Sequence, residues 1–288
     1  MVLMMLPTDS RRLAVEECGA PGGKPVFYLH GTPGSRLGPR PRAIVLHQLG
    51  IRLIVFDRPG YGESDRHPGR VVADAAADVA AIADELGLDQ FAVVGRSGGG
   101  PHALACAALL PDRTTRVAAL VALAPSGADG LDWYSGMTPG NVAEFSTARR
   151  GRNAVAERLM LAAERIRADP RRMIAALYAD LTEADRRVVA DAGIRRMLVS
   201  NFAEAFHRSA DGWIDDVMAL TSPWGFDLGE ITQPTLVWHG AQDRFIPPGH
   251  AAWLGARIPG ALVILEPGGS HFGALDVLPR VLRWLIAA

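Results

Sequence analysis

Two hydrophobic patterns alternate along the first 125 residues of the chain. Short runs of consecutive apolar residues, typical of strands covered on both faces, alternate with segments whose apolar residues recur at helical spacing. The predicted strands are Pro25–His30, Ile51–Asp57, Phe91–Arg96 and Val117–Ala124. The predicted helices are Arg42–Leu49, Val71–Leu86 and Gly99–Leu110. This alternation predicts an α/β domain with a mostly parallel sheet.

The same alternation returns near the end of the chain. There the predicted elements are the strands Thr235–His239 and Ala261–Leu265 and the helices Gly249–Ala256 and Phe272–Leu285. Between residues 126 and 230 every pattern is helical. We therefore expect an α/β core, residues 1–125 and 231–288, with residues 126–230 inserted between two of its strands as a helical cap.

Composition narrows the class of protein. The 288 residues are 49% hydrophobic and 21% charged, which suits a sizeable folded core rather than a disordered chain. The formal net charge of -1 gives no basic field, so we expect no nucleic-acid partner. No run of 18 apolar residues occurs and the start of the chain lacks a signal-peptide pattern. We expect a cytoplasmic protein without a membrane span, either a monomer or a homodimer.

Metal and cofactor motifs are missing from the sequence. The two cysteines, Cys18 and Cys106, are too few for a disulfide scaffold and are not spaced as a metal site. The chain has no zinc-protease, phosphate-loop or dinucleotide-binding motif. We therefore expect no metal and no cofactor.

A G-x-S-x-G motif, residues 95–99, lies between a predicted strand and a predicted helix. A sharp strand-to-helix turn needs small residues two positions on either side of Ser97, because the backbone there is crowded. Such a turn lifts the serine Oγ above the sheet and places it at a helix N-terminus, which favours developing negative charge. The motif in this setting predicts that Ser97 is a nucleophile.

A second loop, His-Gly-Thr-Pro-Gly at residues 30–34, follows the first predicted strand. A serine nucleophile needs donors for the oxyanion of its tetrahedral intermediate. The backbone N–H groups of Thr32 and Gly98 are the predicted donors. The loop at residues 57–64 is rich in glycine and proline, and we assign it a structural role without a catalytic step.

Two further residues at strand ends complete the predicted catalytic group. Asp243 follows the strand at residues 235–239, and His271 follows the strand at residues 261–265. His271 is the predicted base that accepts the serine proton, and Asp243 is predicted to orient it. Asp129, just beyond the strand at residues 117–124, is an alternative for the acid. We favour Asp243 because its Gly-x-x-Asp loop suits the position.

These ordered motifs resemble those of cap-bearing serine hydrolases of the α/β-hydrolase fold family, over residues 11–286. The resemblance implies an eight-stranded, mostly parallel sheet flanked by helices and a Ser97–Asp243–His271 triad. It also implies an all-helical cap between the sixth and seventh strands. Family members that open epoxides or remove halides carry aspartate at the nucleophile position, so Ser97 argues against both chemistries.

The expected substrate is a small to medium, apolar carboxylic ester, cleaved through an acyl-enzyme on Ser97. Aromatic residues of the cap are candidates for the walls of its pocket: Trp133, Tyr134 and Trp213. The same fold and triad leave other chemistries open, namely C–C bond hydrolysis, a peptidase, a lyase or a biosynthetic cyclase. A ligand-binding receptor without turnover is the alternative from another class.

Overall fold

The computed structural model describes residues 2–8 and 10–287 of the chain. Residues 1, 9 and 288 of the predicted core lie outside the described residues. The strands are β1 (Val2–Thr8), β2 (Arg11–Gly19), β3 (Lys24–Leu29), β4 (Ile51–Phe56), β5 (Phe91–Arg96), β6 (Thr114–Leu120), β7 (Thr235–Gly240) and β8 (Leu262–Glu266). The helices are α1 (Ala43–Gln48), α2 (Asp74–Glu85), α3 (Gly99–Leu109), α4 (Pro139–Thr147), α5 (Arg152–Ala168), α6 (Arg171–Tyr178), α7 (Glu183–Ala190), α8 (Ala192–Ala205), α9 (Asp211–Thr221), α10 (Gly249–Gly255) and α11 (Gly273–Leu285).

The strands form one eight-stranded sheet in the order β1-β2-β4-β3-β5-β6-β7-β8. Strand β2 pairs antiparallel with β1 and β4, and the pairs from β4 to β8 are parallel. The chain order reverses where β3 lies beside β5. In open α/β sheets, ligands bind at the carboxyl ends of the strands beside such a reversal. The predicted fold class, an α/β sheet of the hydrolase type, is confirmed.

Helices cover both faces of this sheet. Along β3, Val26 and Tyr28 join the apolar cluster that contains α1 and α11, whereas Phe27 and Leu29 join the cluster that contains α2 and α3. Successive residues of a strand point to opposite faces, so a strand buried on both sides must be apolar throughout. This double burial explains why the continuous apolar runs predicted the parallel strands.

All secondary-structure elements described between β6 and β7 are helices. We call residues 126–230 the insertion. Helix α7 begins with a capping box: the Thr182 hydroxyl accepts from the Asp185 amide, and the Asp185 carboxylate accepts from the Thr182 amide. The two bonds satisfy backbone N–H groups at the start of this helix. The insertion leaves and re-enters the sheet at the carboxyl end of β6 and the amino end of β7.

The structure differs from the predicted elements at two places. The strand predicted at residues 117–124 ends at Leu120, because Val121 has a φ of +46° and turns the chain out of the ladder. Residues 121–124 are nevertheless buried, which accounts for their apolar character. Strands β1 and β2 were not among the predicted elements, since the charged residues of β2 interrupt its apolar pattern.

Candidate active site

Ser97 lies at the sharp turn between β5 and α3. Its φ is +55°, in the left-handed region that side chains rarely adopt. The turn is tight on both sides: a Cβ on Gly95 would lie 2.1 Å from the Gly99 oxygen, and a Cβ on Gly99 would lie 2.3 Å from the Leu29 oxygen. No larger side chain fits at either position. The glycine requirement predicted from the motif therefore has a steric cause in this structure.

Asp243 holds His271 in one orientation. The His271 Nδ1 lies 2.8 Å from Asp243 Oδ2, and both side chains are buried. A carboxylate accepts hydrogen bonds, so Nδ1 carries the proton and the other ring nitrogen, Nε2, is left as a base. Asp129, the alternative acid, is exposed at the surface, and its backbone oxygen accepts a hydrogen bond from Trp253.

The Asp243 carboxylate is fixed by four donors. The amides of Phe245 and Ile246 donate to Oδ1 at 2.8 and 2.9 Å, while the His239 ring lies 3.3 Å and the His271 ring 2.8 Å from Oδ2. Burial alone would raise the pKa of Asp243, but the imidazoles of His271 and His239 hold this pKa well below its usual range. Asp243 is therefore ionised at neutral pH.

Ser97 and His271 line the same cavity, together with Thr32 and Gly98. In residues 10–287 the backbone N–H groups of Thr32 and Gly98 donate to no other residue. A Cβ on Gly98 would lie 2.3 Å from the Thr32 Oγ1, so the two loops touch here. The structure thus brings together all five residues predicted for the catalytic group and the oxyanion hole.

The Thr32 side chain is hydrogen-bonded to a buried network of ion pairs. The Thr32 hydroxyl donates to Oδ2 of Asp216 at 2.5 Å, and the Arg58 guanidinium donates to the Thr32 Oγ1 at 3.0 Å. Arg58 and Arg70 both form ion pairs with Asp216, whose side chain is fully buried. The Tyr61 hydroxyl also donates to Asp216, at 2.9 Å. Burial would raise the pKa of Asp216, but the two guanidinium groups hold it well below its usual range.

This network gives the loop at residues 57–64 a place in the site. Arg58 also donates to the backbone oxygens of His30 and Gly31, so it braces the loop that carries Thr32. Asp216 belongs to α9 and thus ties the insertion to the same loop. The prediction that residues 57–64 take no catalytic step stays a prediction, but Arg58 contacts a predicted oxyanion residue.

The cavity above Ser97 has a volume of about 90 Å³. Pockets for drug-sized ligands measure about 300–1,000 Å³, so this space suits a short acyl group. Its apolar walls come from the sheet edge and the insertion: Leu123, Phe145, Met173, Leu177, Leu198, Phe202, Leu220, Phe245, Ile246 and Phe272. A larger groove of about 1090 Å³ lies between α8 and α11 and contains neither Ser97 nor His271.

The three aromatic residues predicted for the pocket do not line the cavity. Trp133 is buried, donates from Nε1 to the Ala124 oxygen and packs edge-on against Tyr134. Trp213 lies one layer further out and donates from Nε1 to Oε1 of Glu144 at 2.8 Å. Trp133 and Tyr134 lie in the loop before α4, and from α9, the helix of Trp213, Leu220 lines the cavity instead.

Two charged residues that the sequence did not single out do line the cavity: Arg96 and Glu144. Burial raises the pKa of Glu144 to about 7, although the hydrogen bond from Trp213 and the charge of Arg158 oppose the rise. Arg96 precedes the nucleophile, which is a position that the motif leaves free. The sequence alone gives no signal for either residue, because only the folded structure determines whether its side chain points into the cavity.

Two buried histidines outside the predicted group are neutral at pH 7. Burial lowers the pKa of His102 to about 3 and that of His250 to about 4. His250 accepts from the Ala124 amide and its other nitrogen lies 3.0 Å from the Trp133 oxygen, so it is a structural group. Among the described residues, no group of three or more His, Cys, Asp or Glu could hold a metal ion. No helix in the described part of the chain is long and apolar enough to cross a membrane.

The sheet order, the turn at Ser97 and the His271–Asp243 pair define the architecture of an α/β hydrolase. The chain belongs to the alpha/beta hydrolase fold family, whose model matches residues 24–276. Membership of this family supports hydrolase activity. A solved structure of an alpha/beta hydrolase fold protein from Nakamurella multipartita superposes with a TM-score of 0.69, at 24% identity over 99% of both chains.

Two curated relatives differ in activity. The proline iminopeptidase of Xylella fastidiosa is 36% identical over 118 residues, which are 40% of this chain and 37% of that protein. The chain thus matches little more than a third of that relative's length. The 2-hydroxymuconate semialdehyde hydrolase of Pseudomonas putida is 27% identical over 91% of this chain and 85% of its own.

Proposed function

We propose that this protein is a serine hydrolase that cleaves a small carboxylic ester through a covalent acyl-enzyme on Ser97. The observation that carries the proposal is one cavity lined by Ser97 at its left-handed turn and by His271, whose Nδ1 is bound to Asp243. This arrangement supplies a nucleophile, a base and a group that orients the base.

The proposed reaction has two stages. His271 Nε2 takes the proton of Ser97 as Oγ attacks the acyl carbon, and the N–H groups of Thr32 and Gly98 stabilise the oxyanion. His271 then protonates the leaving alcohol, and the ester bond to it breaks. A water molecule, deprotonated by His271, attacks the acyl-enzyme and releases the carboxylic acid and free Ser97.

We propose that the insertion is a cap over this site. Helices α4, α6, α8 and α9 each supply residues to the cavity walls, among them Phe145, Met173, Phe202 and Leu220. Side chains on these helices would therefore select the acyl group, whereas the core supplies the reacting groups. The small volume favours short acyl chains.

C–C bond hydrolysis is the second candidate. It is favoured by the 2-hydroxymuconate semialdehyde hydrolase of Pseudomonas putida, which aligns with nearly the whole chain, insertion included. The same nucleophile, base and oxyanion donors would serve that reaction. Comparing kcat/KM for a p-nitrophenyl ester with kcat/KM for a vinylogous 1,5-diketone would separate the two candidates. Preference for the ester favours the first, and preference for the diketone favours the second.

A fluorophosphonate probe tests the proposal, because it labels a serine only when base and oxyanion donors are in place. We expect stoichiometric labelling of Ser97 in the folded protein, and a kcat for p-nitrophenyl butyrate that falls by about 10⁶ in Ser97→Ala. Ser200→Ala, an exposed serine on α8, is the matched control and should react normally. An unlabelled Ser97, or ester cleavage that survives in Ser97→Ala, would contradict the proposal and favour a binding protein without turnover.

A further inference from the structure

The guanidinium of Arg96 enters the cavity beside the nucleophile without a partner. Arg96 lines the cavity, and its Nε and Nη1 atoms are buried with no hydrogen-bond partner among the described residues. Within residues 10–287 no carboxylate lies within ion-pair distance of it. Its guanidinium carbon lies 5.7 Å from the centre of the Phe272 ring, which fixes its position but does not neutralise its charge.

Arg96 is half-buried, whereas three buried arginines around the site are neutralised. Arg58 and Arg70 share Asp216, and Arg36 pairs with Asp57 and Glu204. An unpaired charge is costly to bury, and folded proteins pair such charges or leave them for a ligand. Arg96 has no such ion pair among the described residues, and it lies where the cavity opens beside Ser97.

The position of Arg96 places a bound anion close to the scissile bond. Its Nη2 atom lies 3.5 Å, and the Ser97 Cβ 3.4 Å, from the point where a Cβ on Gly31 would stand. The absence of a side chain at Gly31 keeps the space between the guanidinium and the nucleophile open. An anion on Arg96 would thus be only a few bonds from a carbonyl carbon under attack by Ser97.

The rest of the cavity wall carries one acidic side chain and two amides. Glu144 is the acidic side chain in the lining, its Oε1 is bound to the Trp213 indole, and no ion pair joins it to Arg96. The Asn141 Nδ2 donates a hydrogen bond to the Phe245 oxygen, and the Asn201 Oδ1 accepts one from the Ser35 amide. Beyond these side chains, Thr32, Ser97 and His271, the walls that face Arg96 are apolar.

We infer that the substrate carries a carboxylate near its scissile carbonyl and that Arg96 binds it. The inference rests on the proposed function and narrows it from small esters to monoesters of short dicarboxylic acids or esters of carboxylate-bearing alcohols. A guanidinium suits this task because it is a permanent cation whose N–H groups form charge-assisted hydrogen bonds with carboxylate oxygens. The cavity volume of about 90 Å³ limits the acyl part to a few carbons.

Matched ester pairs test the inference. Mono-p-nitrophenyl glutarate against p-nitrophenyl pentanoate places the charge on the acyl side, and the butyrates of 4-hydroxybenzoate and 4-hydroxybenzamide place it on the leaving group. We expect kcat/KM to favour the charged member of one pair by at least about tenfold. The preferred pair identifies the side of the bond that carries the carboxylate.

Variants of Arg96 connect the preference to this side chain. Arg96→Gln should reduce the charged-to-neutral ratio of kcat/KM by about 10- to 100-fold, and Arg96→Lys should restore part of it. Arg150→Gln, which removes an exposed arginine of the insertion, should keep the wild-type ratio. A wild-type protein that prefers neither charged ester, or an Arg96→Gln variant with an unchanged ratio, would overturn the inference.

A binding measurement separates this inference from the proposed reaction. Calorimetric titration of glutarate into Ser97→Ala needs no turnover, and binding should disappear in the Ser97→Ala, Arg96→Gln double variant. Thermal unfolding of both variants shows that they are folded. If glutarate binds through Arg96 while wild-type Ser97 takes no fluorophosphonate, the proposed function fails and the anion site stands. If Ser97 is labelled but glutarate binding does not depend on Arg96, the anion site fails alone.

Discussion

The Thr32 hydroxyl donates a 2.5 Å hydrogen bond to Oδ2 of Asp216 and so joins the loop after β3 to helix α9 of the insertion. Arg58 contacts both residues, which makes the junction a closed set of three groups. The residue whose amide is proposed to hold the oxyanion is therefore positioned from the insertion as well as from the core.

Removing the charge of Asp216 should impair catalysis rather than substrate binding. In Asp216→Asn the Thr32 loop loses a charged hydrogen-bond acceptor, so we expect kcat to fall by about 10- to 100-fold while KM changes less than about threefold. Steady-state kinetics with p-nitrophenyl butyrate measures both. Because this variant leaves Arg58 and Arg70 uncompensated and can lose stability, Thr32→Val provides a second route to the same broken contact.

Asp215 is the natural control for Asp216. It is also buried on α9, but it pairs with Arg66 and Arg152 and not with Thr32. Asp215→Asn should keep the wild-type kcat. Equal losses of kcat in the two aspartate variants would show that the effect is a general loosening of α9.

Asp243 and Asp129 can be distinguished by the same substitution. Asp243→Asn keeps the shape of the side chain but no longer holds His271 in the tautomer that leaves Nε2 as base, so kcat should fall by about 10⁴. Asp129→Asn should leave kcat unaltered, because Asp129 is exposed. A large loss in Asp129→Asn with a small one in Asp243→Asn would reverse the assignment.

Glu144 should make the preference for charged esters depend on pH. Its pKa is raised to about 7 because it is buried, so the carboxyl is neutral at lower pH and anionic at higher pH. The charge of Arg158 and the hydrogen bond from Trp213 oppose this rise, and Arg96 lines the same cavity. Ionised Glu144 repels an anionic substrate. We expect the charged-to-neutral ratio of kcat/KM to fall by about three- to tenfold between about pH 6 and about pH 8.

The ratio isolates Glu144, because any effect of pH that is common to both esters cancels in it. Glu144→Gln should remove the pH dependence of the ratio, and Glu157→Gln, an exposed glutamate of α5, should retain it. Ratio profiles that coincide in wild type and Glu144→Gln would contradict the prediction.

The turn at Ser97 should tolerate no added methyl group at Gly99. A Cβ there would lie 2.3 Å from the Leu29 oxygen and 2.5 Å from the His30 oxygen, both of them backbone atoms. Gly99→Ala should lower the free energy of unfolding by about 1–3 kcal/mol, measured by urea denaturation. Gly127→Ala, where a Cβ meets nothing within 4 Å, should change it little. Equal stability of the two variants would mean that the backbone relaxes around the methyl group.

The parts of the fold that the sequence predicts are those governed by local pattern. The apolar run Phe91–Arg96 coincides with β5, because a strand buried on both faces has no polar positions to obscure it. The same rule predicts too long a strand after Val117: residues 121–124 are equally apolar but form a buried segment between β6 and the insertion. A run of apolar residues therefore indicates burial, but it corresponds to a strand only where the backbone is extended.

The candidate site divides in the same way. Ser97, Asp243 and His271 stand in short motifs at strand ends, so their neighbours in the chain identify them. Asp216 is one of two adjacent aspartates on α9, and only the packing of the helix decides that it, rather than Asp215, meets Thr32. Tertiary packing also turns Glu144 to the cavity and Trp213 away from it, which no periodicity reveals.

The helices of the insertion are not all tied to the core in the same way. Helix α9 is held through Asp216, α8 through Asn201, α7 through Asp185, and α4 through Asn141. Within the described part of the chain, no side-chain hydrogen bond or ion pair joins α6 to the core, and this helix packs mainly on other helices of the insertion, α5 and α8. Helix α6 nevertheless places Met173 and Leu177 over the cavity. Opening the cavity at α6 would therefore break none of the hydrogen bonds that tie the described helices of the insertion to the core.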